Sequence, residues 1–344
     1  MRVGIDAQLA VGTATGIGEY VRELVAALRA RGESVSSLSD ARLDPWRFDR
    51  RVRWDQLALP LAARRAGVEL LHCASGTMPA LAGVPMVVTV HDVVWLREQR
   101  HARPYARWYF GAFSVARYRR ARLILVDSEF SGHELVELGG IDPQRVRVVY
   151  PGVSAAFAAV ERRPSEPSFA LAVGTVEPRK NLEVAIRALR EVPQLRLVSV
   201  GPPTPYVERC LQIARDCGVA ERVELRGYVT REALLDLYAR AAVALMPSRY
   251  EGFGLGAAQA LVAGVPLLAA RSSSLVEVAP DQARLPVDEP SAWAQALREL
   301  LAARESRERE SAELRARACE RFSWGSAAER VAACYGEALS RAGR

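Results

Sequence analysis

The sequence predicts an α/β protein built from two doubly wound domains, and three observations carry this prediction. Short runs of Val, Leu and Ile alternate with segments of helical periodicity, which is typical of a parallel sheet covered by helices on both faces. The alternation is interrupted at 151–168 by a stretch rich in Pro, Ser and charge, and then begins again. A length of 344 residues is sufficient for two domains, each with its own core.

The first half predicts these elements in order. A strand "RVGIDA" leads through a Gly/Thr loop into the helix "EYVRELVAALRARG". In this helix Val21, Leu24, Val25 and Leu28 recur at helical spacing, and Gly32 ends it. Four further strands are predicted from the apolar runs "VELLHC", "VPMVVTVHD", "LILVDS" and "VRVVYPG".

The second half repeats this organisation. Its predicted strands are "FALAVG", "LRLVSVG", "VELRGYV", "AVALMPS" and "VPLLAA", and the tail from Pro290 is helical. We therefore predict a first domain over 1–155, a linker over 156–167 and a second domain over 168–320. The final segment, 321–344, is expected to form a helix that packs back on the first domain.

Composition and charge narrow the class of protein. The formal net charge is +7, and 21 Arg against 16 Asp plus Glu place +5 of it in residues 1–152. A basic balance of this kind suits a polyanion, whether nucleic acid, anionic lipid or phosphorylated substrate, and does not choose among them. No 18-residue apolar run and no signal-peptide pattern is present, so we expect a cytoplasmic protein. Five cysteines without CxxC spacing and four scattered histidines favour reduced thiols and no zinc site.

Two candidate site segments lie in the first half, each after a predicted strand, where doubly wound sheets bind ligands. In "GTATGIGEY", Gly16 and Gly18 open a helix whose N-terminus suits an anion, although Val21 occupies the third glycine position of a dinucleotide fingerprint. A tight strand-to-helix turn is the alternative. In "TVHD", His91 and Asp92 end a buried apolar strand, where polar side chains need a partner or a task. A structural histidine is the alternative there.

The third segment, "GTVEPRKN", holds the chain's only lysine, Lys180, and its only asparagine, Asn181. Arg179 offers a bidentate fork and Lys180 a compact point charge, a combination that suits a diphosphate. Cations at a helix start oppose the helix dipole, so an anion between them would explain the arrangement. A solvated basic pair, or a chance survival of one lysine, is the alternative.

The fourth segment, "PSRYEGFGLGAAQALVAGVP", places Glu251 in a loop with Gly252, Gly254 and Gly256. Glycines let a backbone approach a ligand closely, and the following helix favours phosphate. A carboxylate beside an anion site is unfavourable unless it binds something neutral and rich in hydroxyls, such as a sugar. The segment therefore indicates a ligand that contains both groups.

Taken in order, these segments resemble the retaining nucleotide-sugar glycosyltransferases of family four, which have the GT-B architecture of two Rossmann-like domains facing a cleft. The resemblance spans nearly the whole chain, through "GIGEYVREL", "VHDVVWL", "SEFS" with "VRVVYPGV", "VGTVEPRKNL", "GYVTREALLDLYARA" and "PSRYEGFGLGAAQALVAGVPLL". It looks most like the bacterial branch that builds surface polysaccharides and glycans, often with mannose or rhamnose.

The resemblance implies a nucleotide-diphosphate sugar held in the interdomain cleft, mainly by the C-terminal domain, with the acceptor on the N-terminal domain. It implies no cofactor and no metal, and the sequence has no Asp-x-Asp, the usual metal anchor of the other glycosyltransferase fold. Arg179, Lys180 and the glycine-loop amides would then carry the charge of the leaving diphosphate.

Roles carried over by position follow from the same resemblance. Glu251 would contact donor-sugar hydroxyls, His91 would lie between donor and acceptor, and Val229 would lie near the base. The residues expected to be catalytic are His91, Glu251, Arg179 and Lys180. The residues expected to bind the donor are Gly16, Gly18, Gly174, Arg179, Lys180, Val229, Glu251, Gly254, Leu255, Gly256 and Gln259.

Two positions depart from the family pattern. Thr175 follows the glycine of the third segment, where many relatives have Arg, so Arg179 would carry more of the phosphate load. The family pairs two glutamates, and the second normally holds the ribose hydroxyls. Here that position is Gln259, which puts the affinity or identity of the nucleotide in question.

The function implied is transfer of a hexose, with retention, from a GDP-mannose, UDP-sugar or dTDP-rhamnose type of donor to a glycan or lipid-linked acceptor. No nucleic acid partner is expected. A nucleotide-sugar epimerase of the same architecture and a catalytically silent sugar-nucleotide-binding homologue are the alternatives; Gln259 favours the silent homologue.

A basic, aromatic segment covers residues 100–122, with seven arginines and no acidic residue. It predicts either a solvated basic helix near the acceptor side or docking on an anionic membrane surface, at the inner face of the cell membrane. Docking would bring the enzyme to a lipid-linked acceptor.

Overall fold

The computed structural model describes residues 1–11, 16–97 and 108–340. Its contacts divide the chain into two compact units, and each contains one six-stranded parallel sheet. The first unit comprises Met1–Gly152 and the C-terminal segment from Ser323, and the second comprises Val153–Phe322. The α/β fold class expected from the sequence is confirmed.

The first sheet contains β1 to β6, whose bounds are Arg2–Asp6, Ser34–Leu38, Leu70–Cys73, Met86–Val90, Leu123–Val126 and Val146–Val148. Their order in the sheet is β2-β1-β3-β4-β5-β6. Strands β3, β4 and β5 are buried along their whole length, which explains their continuous apolar sequences. Strand β2, "SVSSL", was not predicted, because an edge strand with exposed positions does not need an apolar run.

Helices cover this sheet, and their packing follows from their apolar faces. In the described part of the first unit, the helices include Gly16–Ala30, Phe48–Arg53, Leu59–Arg65, Val94–Arg97, Ala112–Tyr118, Glu129–Gly139 and Trp324–Ser340. In the first of them Leu24 and Leu28 are fully buried and share one core with Val331 of the last. The Tyr335 hydroxyl also lies 2.7 Å from the buried His72 Nδ1, so helix Trp324–Ser340 belongs to the first unit by both apolar and polar contacts.

The second sheet contains β7 to β12, with bounds Phe169–Val173, Arg196–Val200, Val223–Leu225, Val243–Met246, Leu267–Ala270 and Arg284–Leu285. Their order is β12-β11-β10-β7-β8-β9. Read from the other edge, this is the 3-2-1-4-5-6 order of dinucleotide-binding sheets. The chain therefore leaves β7 toward one edge and β10 toward the other, which makes the space between these two strands the topological switch point.

The helices of the second unit are Ala155–Ala158, Leu182–Ala188, Tyr206–Asp216, Arg231–Arg240, Leu255–Val262, Leu275–Val278, Pro290–Ala302 and Arg304–Arg321. The segment 156–167 lies within this unit. There Arg162 donates to the carbonyls of Ala239 (3.0 Å) and Ala241 (2.7 Å) and pairs with Glu308 at 2.8 Å. Arg162 thus binds this segment to the rest of the second unit.

The described ranges hold no helix that is long and apolar enough to cross a membrane. Within those ranges there is also no group of three or more His, Cys, Asp or Glu side chains placed to hold a metal ion. The five cysteines are free thiols.

Candidate functional site

Two sequence segments meet at the switch point of the second sheet. One follows β7 and runs through Gly174 to Lys180; the other follows β10 and reaches Glu251. Since the carboxyl ends of neighbouring parallel strands lie at one edge, these segments come together there. The third and fourth sequence segments, 74 residues apart at Glu177 and Glu251, therefore build one site.

Glu251 is the centre of this site. Lys180 Nζ donates to Glu251 Oε1 at 2.6 Å, and Arg179 Nη1 donates to Glu251 Oε2 at 3.3 Å. Ser248 Oγ also donates to Oε1, at 2.6 Å. The carboxylate is thus held by two cations and a hydroxyl, all from the two segments that end β7 and β10.

The carboxyl of Glu251 is ionised in this setting. It is 6% exposed, and burial alone would raise its pKa. The charges of Lys180 and Arg179, with hydrogen bonds from Lys180 and Ser248, outweigh burial and lower the pKa below its ordinary value. Its main chain is held as well, because Glu251 N donates to Ser273 Oγ at 2.9 Å and Ser274 Oγ donates to the Glu251 carbonyl at 2.8 Å.

Lys180 occupies a confined space beside Gly174. Gly174 has φ 143°, which L side chains rarely adopt, and a Cβ there would lie 3.2 Å from Lys180 Cε and 3.4 Å from Nζ. A cavity of about 20 Å³, lined in part by Gly174, Lys180 and Ser248, has room for about one water molecule. The position fits a compact ammonium better than a guanidinium.

Arg179 and Asn181 complete the turn after β7. Arg179 Nη1 donates to the Tyr250 carbonyl at 2.8 Å and Nη2 to Glu177 Oε1 at 2.6 Å. Asn181 begins helix Leu182–Ala188 with φ 51°, a left-handed conformation that Asn tolerates better than most residues. Its side-chain amide donates to the Val287 carbonyl at 2.8 Å, so the chain's only asparagine has a structural role.

The glycines of the fourth segment allow close packing at the start of helix Leu255–Val262. Gly254 has φ 91°, and a Cβ there would lie 2.7 Å from Leu275 Cδ2. A Cβ on Gly256 would lie 3.0 Å from Met246 Sδ. No side chain caps this helix, whose first N–H groups therefore depend on partners from outside it. Leu255 is its first residue.

Gln259 lies on the same helix and is 7% exposed. The Tyr238 hydroxyl is 3.2 Å from Gln259 Oε1 and 3.3 Å from the Gly256 carbonyl. The single hydroxyl proton of Tyr238 can be donated to either oxygen.

Val229 lies half-buried in the loop between β9 and helix Arg231–Arg240, directly before the N-cap Thr230. The predicted donor-binding residues from Gly174 onward thus all belong to the second unit.

His91 lies in the first unit, at the end of β4. Its Nδ1 is 2.7 Å from Asp127 Oδ2, and its Nε2 is 3.0 Å from the carbonyl oxygen of Ala74. Both neighbours are acceptors, so two hydrogen bonds require a proton on each ring nitrogen. Burial would lower the pKa of His91, but the charge and hydrogen bond of Asp127 outweigh it and raise the pKa. The two acceptors and the raised pKa both favour the doubly protonated ring.

Gly16 and Gly18 begin helix Gly16–Ala30 in the first unit. A Cβ on Gly16 would meet nothing within 4 Å, so open space adjoins this position. Residues 12–15 of the same glycine-rich segment lie outside the described residues. The structure thus places the predicted residues in two groups, one in each unit.

A buried polar cluster at the carboxyl end of β1 was not predicted. Arg51 pairs with Asp55 at 3.1 Å and lies 3.8 Å from Asp6, and Arg51 Nη2 donates to Ser75 Oγ at 2.7 Å. Trp54 Nε1 donates to Asp6 Oδ1 at 2.8 Å. The signal that singled out His91, a charged residue that ends a buried strand, was present at Asp6 in "GIDA" as well.

The prediction of a surface role for the basic segment 100–122 is wrong at Arg117. Residues 100–107 lie outside the described residues. Arg117, predicted among the surface cations, is 1% exposed and donates to the carbonyls of Met78 (2.7 Å) and Tyr109 (2.9 Å). Its guanidinium also lies over the Tyr109 ring, 4.4 Å from the centroid. It cannot contact a membrane, because it fills the interior.

Several solved structures share this architecture. Sucrose-phosphate synthase from Thermosynechococcus elongatus superposes with a TM-score of 0.79 at 21% identity, covering 99% of this chain and 100% of its own. Anabaena HepE in complex with UDP-glucose superposes with a TM-score of 0.75 at 17% identity, covering 98% and 100%. The lipopolysaccharide glycosyltransferase WaaG gives a TM-score of 0.71 at 16% identity, covering 96% and 98%. The fold is the GT-B type with two Rossmann-like domains.

Sequence relatives place the chain within a family. Residues 154–317 match the model of Glycosyl transferases group 1, and residues 14–157 match that of Glycosyltransferase Family 4. The D-inositol 3-phosphate glycosyltransferase of Thermobispora bispora is 32% identical over 76% of this chain and 67% of its own length. That of Mycobacteroides abscessus is 31% identical, over 75% of this chain and 62% of its own. The chain therefore belongs to the group 1 glycosyltransferases of family four.

Proposed function

We propose that this protein is a retaining, metal-independent hexosyltransferase that uses a nucleotide-diphosphate sugar and acts on a glycan or lipid-linked acceptor. The observation that carries the proposal is the pairing of Lys180 and Arg179 with Glu251 at the switch point of the second sheet. Two cations that suit a diphosphate each lie within hydrogen-bond distance of a carboxylate that suits sugar hydroxyls.

In the proposed reaction the acceptor hydroxyl attacks the anomeric carbon of the donor. The bond from that carbon to the phosphate oxygen breaks, and a phosphate oxygen of the donor takes the hydroxyl proton. Negative charge grows on the leaving diphosphate, so Lys180 and Arg179 would stabilise the transition state more than the ground state. No protein base is required on this route.

Glu251 has two tasks in this scheme. Without donor it neutralises the two cations, which limits the cost of holding them beside each other. When a diphosphate takes their charge, the carboxylate can accept hydrogen bonds from the sugar. The scheme requires no cofactor.

His91 contributes from the first unit. As an imidazolium between Asp127 and the Ala74 carbonyl, it would form a fixed ion pair with Asp127 at the carboxyl end of β4. To donate to a sugar or acceptor hydroxyl, the ring would have to give up its hydrogen bond to the Ala74 carbonyl. Its role is electrostatic, because a doubly protonated ring has no lone pair with which to act as a base.

The experiment that tests the proposal incubates the protein with GDP-mannose, UDP-glucose, UDP-galactose and dTDP-rhamnose and measures released nucleoside diphosphate. Release from one donor, lost in Lys180→Ala, supports the transferase. Mass spectrometry with lipid-linked acceptors then identifies the product and its anomeric configuration. A product with inverted anomeric configuration would contradict the retaining mechanism but not the transferase activity.

One observation favours the silent homologue as a second candidate. Gln259 replaces the second glutamate of the family pattern, and its position beside Tyr238 shows how a neutral side chain is accommodated there. A silent homologue predicts that a nucleotide sugar binds and remains intact with every acceptor. An epimerase would instead convert the donor sugar without releasing nucleoside diphosphate.

A further inference from the structure

Three consecutive serines, Ser272, Ser273 and Ser274, lie between the carboxyl end of β11 and helix Leu275–Val278. We call residues 272–274 the serine turn. Because β11 is the sheet neighbour of β10, the turn lies beside the loop that follows β10 and carries Glu251. A serine hydroxyl can donate and accept hydrogen bonds, so three in succession are able to hold the main chain of a neighbouring segment.

Each hydroxyl of the serine turn contacts the main chain of the loop that carries Glu251. Ser272 Oγ donates to the Ser248 carbonyl at 2.6 Å. Ser273 Oγ accepts from Glu251 N at 2.9 Å, and Ser274 Oγ donates to the Glu251 carbonyl at 2.8 Å. Both polar main-chain groups of Glu251 are therefore held by the turn, one on either side of its α-carbon.

The residues that flank the serine turn anchor it in the second unit. Before the turn, Arg271 N donates to the carbonyl of Leu285 in β12 at 2.7 Å. After the turn, Leu275 is fully buried and packs against the next bend of the Glu251 loop, where a Cβ on Gly254 would lie 2.7 Å from Leu275 Cδ2. The loop is thus held by a turn that is itself fixed to the sheet.

The backbone of Ser273 is strained. Its φ of 43° is in the left-handed region, which is uncommon for residues other than Gly, Asn and Asp. Such conformations persist only where the surrounding structure over-determines them, and they cluster at functional sites. Glycine would adopt this φ without strain, but it would remove the acceptor for Glu251 N. The hydroxyl is therefore present at a conformational cost.

The main chain of Glu251 determines where its carboxylate meets Lys180. Glu251 Oε1 accepts from Lys180 Nζ and from Ser248 Oγ, both at 2.6 Å. Ser248 is held in turn by Ser272. Since hydrogen bonds weaken steeply when their geometry departs from the ideal, a shift of this main chain would loosen the contact between carboxylate and ammonium.

We propose that the serine turn is a positioning element for the reaction: Ser273 and Ser274 fix the main chain of Glu251, and Ser272 fixes the residue that donates to its carboxylate. The carboxylate is thereby oriented for the donor sugar, and the three hydroxyls act through Glu251 without contacting the donor. This inference rests on the proposed function, which gives Glu251 its task.

The test compares Ser273→Gly with the native protein and repeats the comparison in Glu251→Gln. Glycine suits φ 43°, so Ser273→Gly should fold with an unchanged or higher Tm. Nucleoside diphosphate release is measured with GDP-mannose, UDP-glucose, UDP-galactose and dTDP-rhamnose. For the donor consumed, kcat/KM should fall by about tenfold, the scale of one lost hydrogen bond. In Glu251→Gln the same substitution should cost less than about twofold, because the carboxylate on which the turn acts is absent.

A second variant and a control accompany this comparison. Ser274→Ala removes the donor to the Glu251 carbonyl and should show the same dependence on Glu251. Ser168→Ala is the matched control, because Ser168 is 6% exposed in the same unit and its hydroxyl contacts Glu166. Its kcat/KM should equal that of the native protein.

Nucleotide affinity separates positioning from general damage to the site. Whichever of UDP, GDP and dTDP binds the native protein should bind Ser273→Gly no more weakly in calorimetry, because a nucleoside diphosphate lacks the sugar that Glu251 contacts. The inference is overturned if Ser273→Gly keeps full activity, if it costs as much in Glu251→Gln as in the native protein, or if nucleotide affinity falls by the same factor as kcat/KM.

Failure of the proposed function is distinguishable from failure of this inference. If the native protein consumes none of the four donors, the proposed function fails, and crystal structures of the native protein and Ser273→Gly decide the positioning. A Glu251 carboxylate displaced from Lys180 in Ser273→Gly supports it. A distance from Lys180 Nζ to Glu251 Oε1 that stays at 2.6 Å in the variant overturns it.

Discussion

Lys180 and Glu251 form a 2.6 Å ion pair that joins the segment after β7 to the segment after β10. Both side chains are largely enclosed, with exposed fractions of 20% and 8%. The pair fixes the ammonium at the switch point before any ligand arrives. A cation positioned in advance costs little reorganisation during the reaction, which is the condition for effective electrostatic catalysis.

Lys180→Ala is therefore expected to lower kcat/KM by roughly 10²–10³, the scale for losing one electrostatic contact in a transition state. Lys180→Arg should restore activity only in part, because the larger guanidinium must fit beside Gly174, where a Cβ would already lie 3.4 Å from Nζ. Steady-state kinetics of nucleoside diphosphate release gives both values.

Arg298→Ala is the control for the loss of one cation from the second unit. Arg298 forms a surface pair with Glu191, and both side chains are about half exposed. Its removal should leave kcat/KM unchanged. Full activity in Lys180→Ala would end the assignment of Lys180 to the diphosphate.

The sequence predicted the sheets and the two halves of the site because these depend on local signals. Apolar runs identified the buried strands, and unusual residues at strand ends identified Lys180 and Glu251. The direct pairing of Lys180 with Glu251 was not predicted, because it depends on β7 and β10 being neighbours, and sheet order is a long-range property. The burial of Arg117 was missed for the same reason: its carbonyl partner at Met78 lies 39 residues away.

The second prediction concerns His91 and pH. The pKa of His91 is raised on folding, so the folded state holds this proton more tightly than the unfolded chain. Its contribution to stability is complete below the unfolded pKa of about 6.5 and is lost as pH rises through the folded pKa. The free energy of unfolding of the native protein minus that of His91→Gln should therefore fall as pH rises above about 6.5.

Urea unfolding at several pH values measures this difference. Taking the difference removes contributions from groups that titrate alike in both proteins. The pKa of the buried His72, lowered to about 3 by burial and by the charge of His91, lies well below this range in the native protein. His133→Gln is the control, because His133 is exposed on helix Glu129–Gly139. A difference that stays constant or grows with pH would show that His91 is not held as an imidazolium.

The third prediction concerns docking on a membrane. Arg119, Arg120 and Arg122 are exposed, whereas Arg117 is not. Each exposed arginine near an anionic bilayer is expected to contribute about 1 kcal/mol. Replacing the three exposed arginines by Gln should therefore reduce flotation with anionic vesicles strongly.

A triple variant of the second unit, Arg190→Gln, Arg196→Gln and Arg298→Gln, removes the same charge from exposed positions elsewhere and should keep flotation. Recovery with anionic vesicles should also fall as salt is added. Equal recovery with neutral and anionic vesicles, insensitive to salt, would exclude electrostatic docking.

The last prediction concerns Gln259 and the nucleotide. A glutamate could accept charge-assisted hydrogen bonds from both ribose hydroxyls, roughly twice as strong as neutral ones. Gln259 has one carbonyl oxygen, and the Tyr238 hydroxyl lies 3.2 Å from it, so the side chain has less acceptor capacity to offer a ribose. We expect weaker discrimination in favour of a ribose with two hydroxyls, by about 1–2 kcal/mol or about tenfold in affinity. A deoxyribose donor such as a dTDP-sugar would then be accepted.

Titrations of GDP, UDP and dTDP against the native protein and Gln259→Glu decide this point. Gln259→Glu should tighten GDP and UDP by about tenfold and leave dTDP nearly unchanged, because only a ribose presents the second hydroxyl to the new carboxylate. Gln295→Glu, on the exposed side of helix Pro290–Ala302, adds the same charge to the second unit and should change none of the three affinities. If all three nucleotides tighten alike in Gln259→Glu, or dTDP fails to bind the native protein, Gln259 merely substitutes for glutamate and the donor is a guanosine or uridine sugar.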